Sequence, residues 1–294
     1  MNPKKIHVRL AGGLGNQLFQ WSAGYAMARS SNGELVLDRI SGFKTDFKYH
    51  RHYELGELGL EGTSATPWGI AQFWTLWFAD QLGVRPASKD FKCYFERPNV
   101  FMEAVLNHSE GLGAFLSGYF QSPKYFRGLH DEIRKMLAPP MPNYWVYRAL
   151  GEQMRSTPSL ALGIRLYEET KDPAYHAHQG QLLSVLDVQN ALDQMATELG
   201  ELSVYVFCTH HSAVLDQLHY PGPVKFISAD EGYSDTWGGL WLLSQCRHHL
   251  ISNSSFYWWG AFLSESNYAQ VQQVFMASRN FSNQEIYLPY WRHF

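Results

Sequence analysis

The opening forty residues hold the pattern that most limits the fold: strand, glycine turn, helix, strand. Ile6–Leu10 is a short β-prone run, and Gly12, Gly13 and Gly15 punctuate a tight turn behind it. From Asn16 to about Ser31 the apolar Leu18, Phe19, Tyr25 and Ala26 recur at helical spacing. Gly33 fits a helix stop, and Glu34–Leu37 predicts the next strand. A βαβ opening of this kind predicts an α/β fold.

The same alternation resumes in the second half. Leu160–Leu166 reads as a strand, Val185–Leu199 as a helix stopped by Gly200, and Val204–Cys208 and Val224–Ile227 as strands. Trp237–Arg247 has helical period and His249–Ser252 reads as a strand. A turn of Asn253, Ser254 and Ser255 then opens a helix near Phe256. Residues 40–150 are less regular and richer in aromatics and glycine. The three prolines of LAPPMPNY, Leu137 to Tyr144, mark a linker, which divides the chain into domains 1–143 and 144–294. A length of 294 residues fits two domains. Two α/β halves imply a cleft between two sheets, with ligands beside the strand C-termini.

Composition narrows the partners. A net charge of −3, from 24 basic and 27 acidic residues, argues against a general nucleic-acid binder, which needs a basic face. Cys93, Cys208 and Cys246 cannot all pair with one another and read as thiols of a reducing compartment. The N-terminus MNPKKIHVRLAGG makes a poor signal peptide. The apolar run Trp68–Ala79 is well short of the roughly 20 residues of a spanning helix. It carries no Lys or Arg for anionic lipid, so a buried or partner-facing helix is preferred over a membrane contact. Together these predict a cytoplasmic location. Aromatics make up 15% of the chain, which suits sugar faces and ordinary cores alike.

Three places could carry chemistry. The turn AGGLGNQ lets the backbone approach a ligand and points a helix N-terminus at an anion, but it matches neither standard nucleotide fingerprint. Alone, it reads as a tight structural turn. The turn ISNSSFYWWG offers the hydroxyls of Ser254 and Ser255 to a phosphate, or to the cap of their own helix. Arg165, at the end of the strand LALGIRL, needs a carboxylate or a phosphate as partner. The histidine pairs His210–His211 and His248–His249 are poor metal sites, because neighbours on a strand face opposite ways. No Asp-x-Asp is present to clamp a metal-bound sugar diphosphate, so no metal is expected.

Taken together, four segments resemble glycosyltransferase family 11, the α-1,2-fucosyltransferases. They are AGGLGNQLFQWSAGYAMA, RHYELGELGL, FLSGYFQSPKYF and LWLLSQCRHHLISNSSFYWWGAFLS, in family order from residue 7 to about 264. The resemblance implies a GT-B-like fold of two Rossmann-like domains, with the acceptor on the N-terminal side and GDP-fucose mainly on the C-terminal domain. It implies an inverting, metal-independent transfer of fucose or a related deoxysugar to a glycan hydroxyl, α-1,2 to galactose in surface polysaccharide synthesis. The acceptor would be a glycan or lipid-linked oligosaccharide, with peripheral contact of the cytoplasmic protein at the inner membrane as the variant, and the donor would be the only cofactor-like group. By the same resemblance Gly13, Gly15, Asn16 and Gln17 lie by the donor diphosphate. Asn253, Ser254 and Ser255 hold its phosphates, and Cys208 and Thr209 line the donor site.

Arg165 falls on the first arginine of the family's His-x-Arg-Arg-x-Asp motif, where it would neutralise the leaving diphosphate. The nearest carboxylate, Glu168, is the candidate base, with Glu169, Asp172 and His176 behind it. This sequence departs from the family at the motif His, which is Gly163, at the second Arg, which is Leu166, and at the Asp, which is Glu168. Cys208, Thr209 and His210 replace Ser-Asp-Asp, and an Asp expected before LWLLS is Gly239. The lost His and Asp both help hold guanine in related enzymes. Three readings follow: guanine held by other groups, a different nucleotide sugar, or a non-catalytic nucleotide- or sugar-binding homologue.

Overall fold

The computed structural model describes residues 4–47, 49–60, 62–84, 90–97, 100–109, 112–163, 183–252, 254–268, 272–278 and 284–294. The chain divides into two units, Met1–Met136 and Leu137–Phe294, at the first residue of the proline-rich segment.

The first unit holds β1 (Lys5–Arg9), α1 (Leu14–Ser31), β2 (Glu34–Asp38), α2 (Ser41–Lys44), β3 (Thr63–Ser64), α3 (Pro67–Gln81), β4 (Phe91–Phe95), α4 (Glu103–Leu106), β5 (Gly113–Ser117) and α5 (His130–Met136). Its five strands are all parallel, in the order β3-β2-β1-β5-β4. Strand alternation splits β1 between two layers. Val8 packs under α1, where a Cβ on Gly24 would lie 2.3 Å from it. His7 faces the other way and stacks on Phe115 at 4.6 Å. Over that second face lies α3, started by the Thr66 hydroxyl, which accepts from the Gly69 amide, and by Pro67 in its first turn. Phe73 and Leu76 bury against Phe115, while Trp68 and Phe78 stay 79% and 60% exposed. The apolar run is therefore a helix that commits only one side to the core. No described helix is long and apolar enough to cross a membrane.

The second unit holds α6 (Trp145–Ser156), β6 (Ser159–Gly163), α7 (Val185–Leu199), β7 (Ser203–Phe207), β8 (Val224–Ile227), α8 (Thr236–Gln245), β9 (His248–Ile251), α9 (Ser255–Tyr268), β10 (Val274–Met276) and β11 (Arg292–His293). Its parallel sheet runs β11-β10-β9-β6-β7-β8. Leu160, Leu162, Val204 and Val206 take Val188, Leu192 and Met195 of α7 on one face. Ala161, Tyr205 and Phe207 take Tyr147, Leu150, Trp241 and Leu243 of α6 and α8 on the other. Each of the Val, Leu, Met and Phe side chains contributes about 1.5–3 kcal/mol when fully buried, so two covered faces explain the near-continuous apolar strands. A reciprocal capping box, Ser184 with Asp187, starts α7. The chain order climbs from β6 to β8 and then returns to β9 beside β6. That reversal sets a switch point at the carboxyl ends of β6 and β9, where open α/β sheets bind ligands.

Candidate functional site

In the first unit the candidate residues surround the turn between β1 and α1. Gly12 has φ +77°, and a Cβ there would come within 2.6 Å of Asn16 Nδ2, so only glycine fits. Gly13 is the residue before the helix and makes no side-chain cap bond; it accepts from the Asn16 and Gln17 amides through its carbonyl. Gly15 is buried behind it. Gln17 is fully buried and its amide is spent on the protein. Nε2 donates to the carbonyls of Gly12 and His52 at 2.9 and 2.8 Å, and Oε1 accepts from the Glu54 amide at 2.9 Å. Asn16 Oδ1 accepts from Gln121 Nε2 at 2.7 Å. Gln20, which sequence reasoning missed, ties the Ala11 amide to the Gly118 carbonyl.

Glu96 was missed as well. It accepts from the Tyr119 and Phe120 amides and the Tyr125 hydroxyl. Burial pushes its carboxyl up, against the pull of those three donors. Arg51 brings a guanidinium within 3.7 Å of where a Gly13 Cβ would lie, so an exposed cation stands over the turn. Its signal lay in the RHYEL segment, whereas nothing in the sequence marked Glu96.

In the second unit the candidates line the carboxyl ends of β6, β7 and β9. Ser252 donates its amide to the Gly163 carbonyl at 2.8 Å, which carries the β9–β6 pairing into the turn. Ser254 donates its amide to the Ser252 carbonyl and accepts from the Trp258 amide, and Ser255 begins α9. Both serines are half-buried, at the positive end of a 14-residue helix. Cys208 and Thr209 follow β7, the first half-buried and the second exposed. The Cys208 amide donates to the Ile227 carbonyl, and the Thr209 carbonyl accepts from the Ala229 amide. Beyond them Asp230 meets His210 Nδ1 at 3.0 Å and takes the His211 amide, and His210 holds its carboxyl below the usual range. Arg165, Glu168 and Asn253 lie outside the described residues.

His248 and His249 point into the core on opposite sides of β9. Burial lowers them to about 4 and about 3, so both are neutral near pH 7. Among the described residues no three His, Cys, Asp or Glu side chains group as metal ligands would. The three cysteines are free thiols, and burial pushes Cys93 up to about 11.

Two Rossmann-like parallel-sheet units, with a helix N-terminus at the carboxyl edge of each sheet, define a GT-B-like glycosyltransferase fold. The comparisons agree. The sequence model of glycosyl transferase family 11 matches residues 94–294. The chain belongs to that family and is a glycosyltransferase. An alpha-1,2-colitosyltransferase from Escherichia coli is 26% identical over 264 residues, covering 88% of this chain and 87% of that protein. Among solved structures, a mutant of Arabidopsis thaliana FUT1 in complex with GDP superposes with a TM-score of 0.55 at 12% identity. The match covers 94% of this chain and 70% of that one. The fucosyltransferase NodZ from Bradyrhizobium matches at a TM-score of 0.48 and 16% identity, over 90% of this chain and 94% of that one.

Proposed function

We propose that the chain moves a deoxyhexose, fucose or colitose, from its GDP-linked donor to the 2-hydroxyl of a galactose-terminated glycan, with inversion and without a metal. One observation carries this reading: the likeness to the α-1,2-colitosyltransferase runs through almost the whole of both chains. Colitose is fucose lacking one further hydroxyl, so both sugars suit one site. The sugar–phosphate bond breaks as the acceptor oxygen bonds to the opposite face of the anomeric carbon, and negative charge gathers on the departing diphosphate. The N-terminus of α9 with Ser254 and Ser255, and the guanidinium of Arg165, supply positive potential there without a cation. The proton of the acceptor hydroxyl passes to a carboxylate, for which Glu168 is the candidate. The glycan belongs to surface polysaccharide synthesis, on an acceptor presented at the cytoplasmic side of the inner membrane.

The test is incubation with GDP-fucose or GDP-colitose and a galactoside, in excess EDTA, with the product linkage read by NMR. A new β-linked or non-2-linked product, or transfer only when metal is restored, overturns the reading. Arg165→Ala should lower kcat by about 10²–10³, the usual scale for losing one donor to a developing oxyanion.

A further inference from the structure

The amino edge of the second sheet, at the opposite end of its strands from Ser254 and Ser255, gathers two cations. Arg155 lies in the last turn of α6, just before β6, and Arg247 joins α8 to β9. A glycine lets them meet. A Cβ on Gly151 would lie 2.3 Å from the Trp241 ring and 3.2 Å from Gln245 Cγ, so its absence lets α6 lie against α8. One turn on, the Arg155 guanidinium donates to Gln245 Oε1 and stands 5.8 Å from the centre of the Trp241 ring. The Arg247 amide donates to Ser159 Oγ, and its guanidinium stands 5.4 Å from the centre of the Tyr268 ring. The Tyr268 hydroxyl donates to the Gln245 carbonyl at 3.1 Å. Burial raises that phenol, and both guanidiniums lie close enough to pull it back.

Among the described residues neither arginine forms an ion pair, and Arg247 Nε is buried without an acceptor. Glu265, on the same helix as Tyr268, takes the Tyr290 hydroxyl and the Trp291 indole instead. The negative end of α6 suits Arg155, but it leaves the Arg247 donor unexplained. A buried donor with no acceptor is costly, and native structures rarely keep one. We propose that Arg155 and Arg247 form a phosphate-binding site at the amino edge of the second sheet, separate from the donor edge. The N–H groups of a guanidinium lie in one plane, as a fork that matches two phosphate oxygens. A ring behind the fork steadies it without using its donors. Two cations without an acid call for a dianion, which a phosphate monoester supplies and a lone carboxylate does not. Free phosphate and the headgroup of an acidic lipid share this chemistry.

The experiment compares the wild-type chain with Arg247→Gln and Arg155→Gln. Inorganic phosphate is titrated by calorimetry, and vesicles of phosphatidylcholine with or without phosphatidic acid are tested by sedimentation. The donor edge is the same in all three chains, so the difference between them isolates the amino edge. Arg247→Gln should weaken phosphate about tenfold, the scale of one charge-assisted hydrogen bond, and Arg155→Gln should weaken it less. Arg247→Lys keeps the charge and loses the fork, so it should not restore binding. Urea unfolding checks each variant, and the exposed Arg155 carries the test if Arg247→Gln does not fold. A loss of phosphate binding with vesicles ignored assigns the site to free phosphate. A loss confined to phosphatidic acid vesicles assigns it to a lipid headgroup. Unchanged binding of both probes in both Gln variants overturns the site, as does a wild-type chain that binds neither. Full recovery in Arg247→Lys overturns it too, since a general basic patch would then suffice.

Discussion

The turn after β1 and the turn after β9 both set a helix N-terminus at the carboxyl edge of a parallel sheet, yet they are held in opposite ways. The first is tied down by side-chain amides: Gln17, Gln20 and the Asn16–Gln121 pair bond the turn to two other segments, 52–54 and 118–121. The second is held by backbone pairing and by rings packed behind it, and it presents hydroxyls and aromatic faces. Buried amides that are fully paired rigidify a site and have little bonding left for a ligand. The difference teaches that the first turn is fixed by buried side-chain amides and the second by its backbone, which under the proposed donor reading makes the first a frame and the second the phosphate-facing turn.

Acid is the largest perturbation and should remove the contrast, since both units bury neutral histidine. His7 is lowered to about 4, and His248 and His249 to about 4 and about 3, with burial the chief cause in each. Their folded values lie below the unfolded 6.5, so the unfolded chain binds more protons at acid pH. Stability is therefore retained above about 6.5 and falls as pH drops from there toward about 4. Thermal scans should place Tm at about pH 4.5 some 10 °C or more below that at about pH 7; equal values would refute the assignment.

Gln17→Leu attacks the frame alone. It leaves the Gly12 and His52 carbonyls and the Glu54 amide without their partner, for a loss of roughly 1–3 kcal/mol in urea unfolding. A loss below about 1 kcal/mol would erase the distinction between the turns. Ser255→Ala attacks the phosphate-facing turn. Stability should change by no more than about 1 kcal/mol, while kcat/KM for transfer drops about tenfold with the lost hydrogen bond to a charged phosphate. Equal effects on both quantities would make Ser255 another part of the frame.

Most of the second unit is legible in the sequence, because strands covered on both faces are short apolar runs and helices such as α7 carry a clear cap and stop. In the first unit the opening through β2 and the apolar helix α3 are legible, and the strands after β2 are not. Of the later strands, β3 has two residues, and β4 is an edge strand whose Phe91, Lys92 and Cys93 are not fully covered. Neither length nor alternation therefore marks them. At the site, glycines and serines announce themselves by residue type. Gln20 and Glu96 do not, because their role depends on partners about a hundred and about twenty residues away in the chain. Tyr257 is the sharpest case. Its ring rests on the α-carbon of Gly163, a contact that no local pattern of residues states.

That last contact also constrains inheritance. With the Tyr257 ring resting on the α-carbon of Gly163, neither position is free to drift alone. A larger residue at 163 arriving first would evict the ring, and a small residue at 257 arriving first would open a void at the carboxyl edge of the sheet. Residues in such contact are expected to couple, so the two positions should change as a pair or stay as they are.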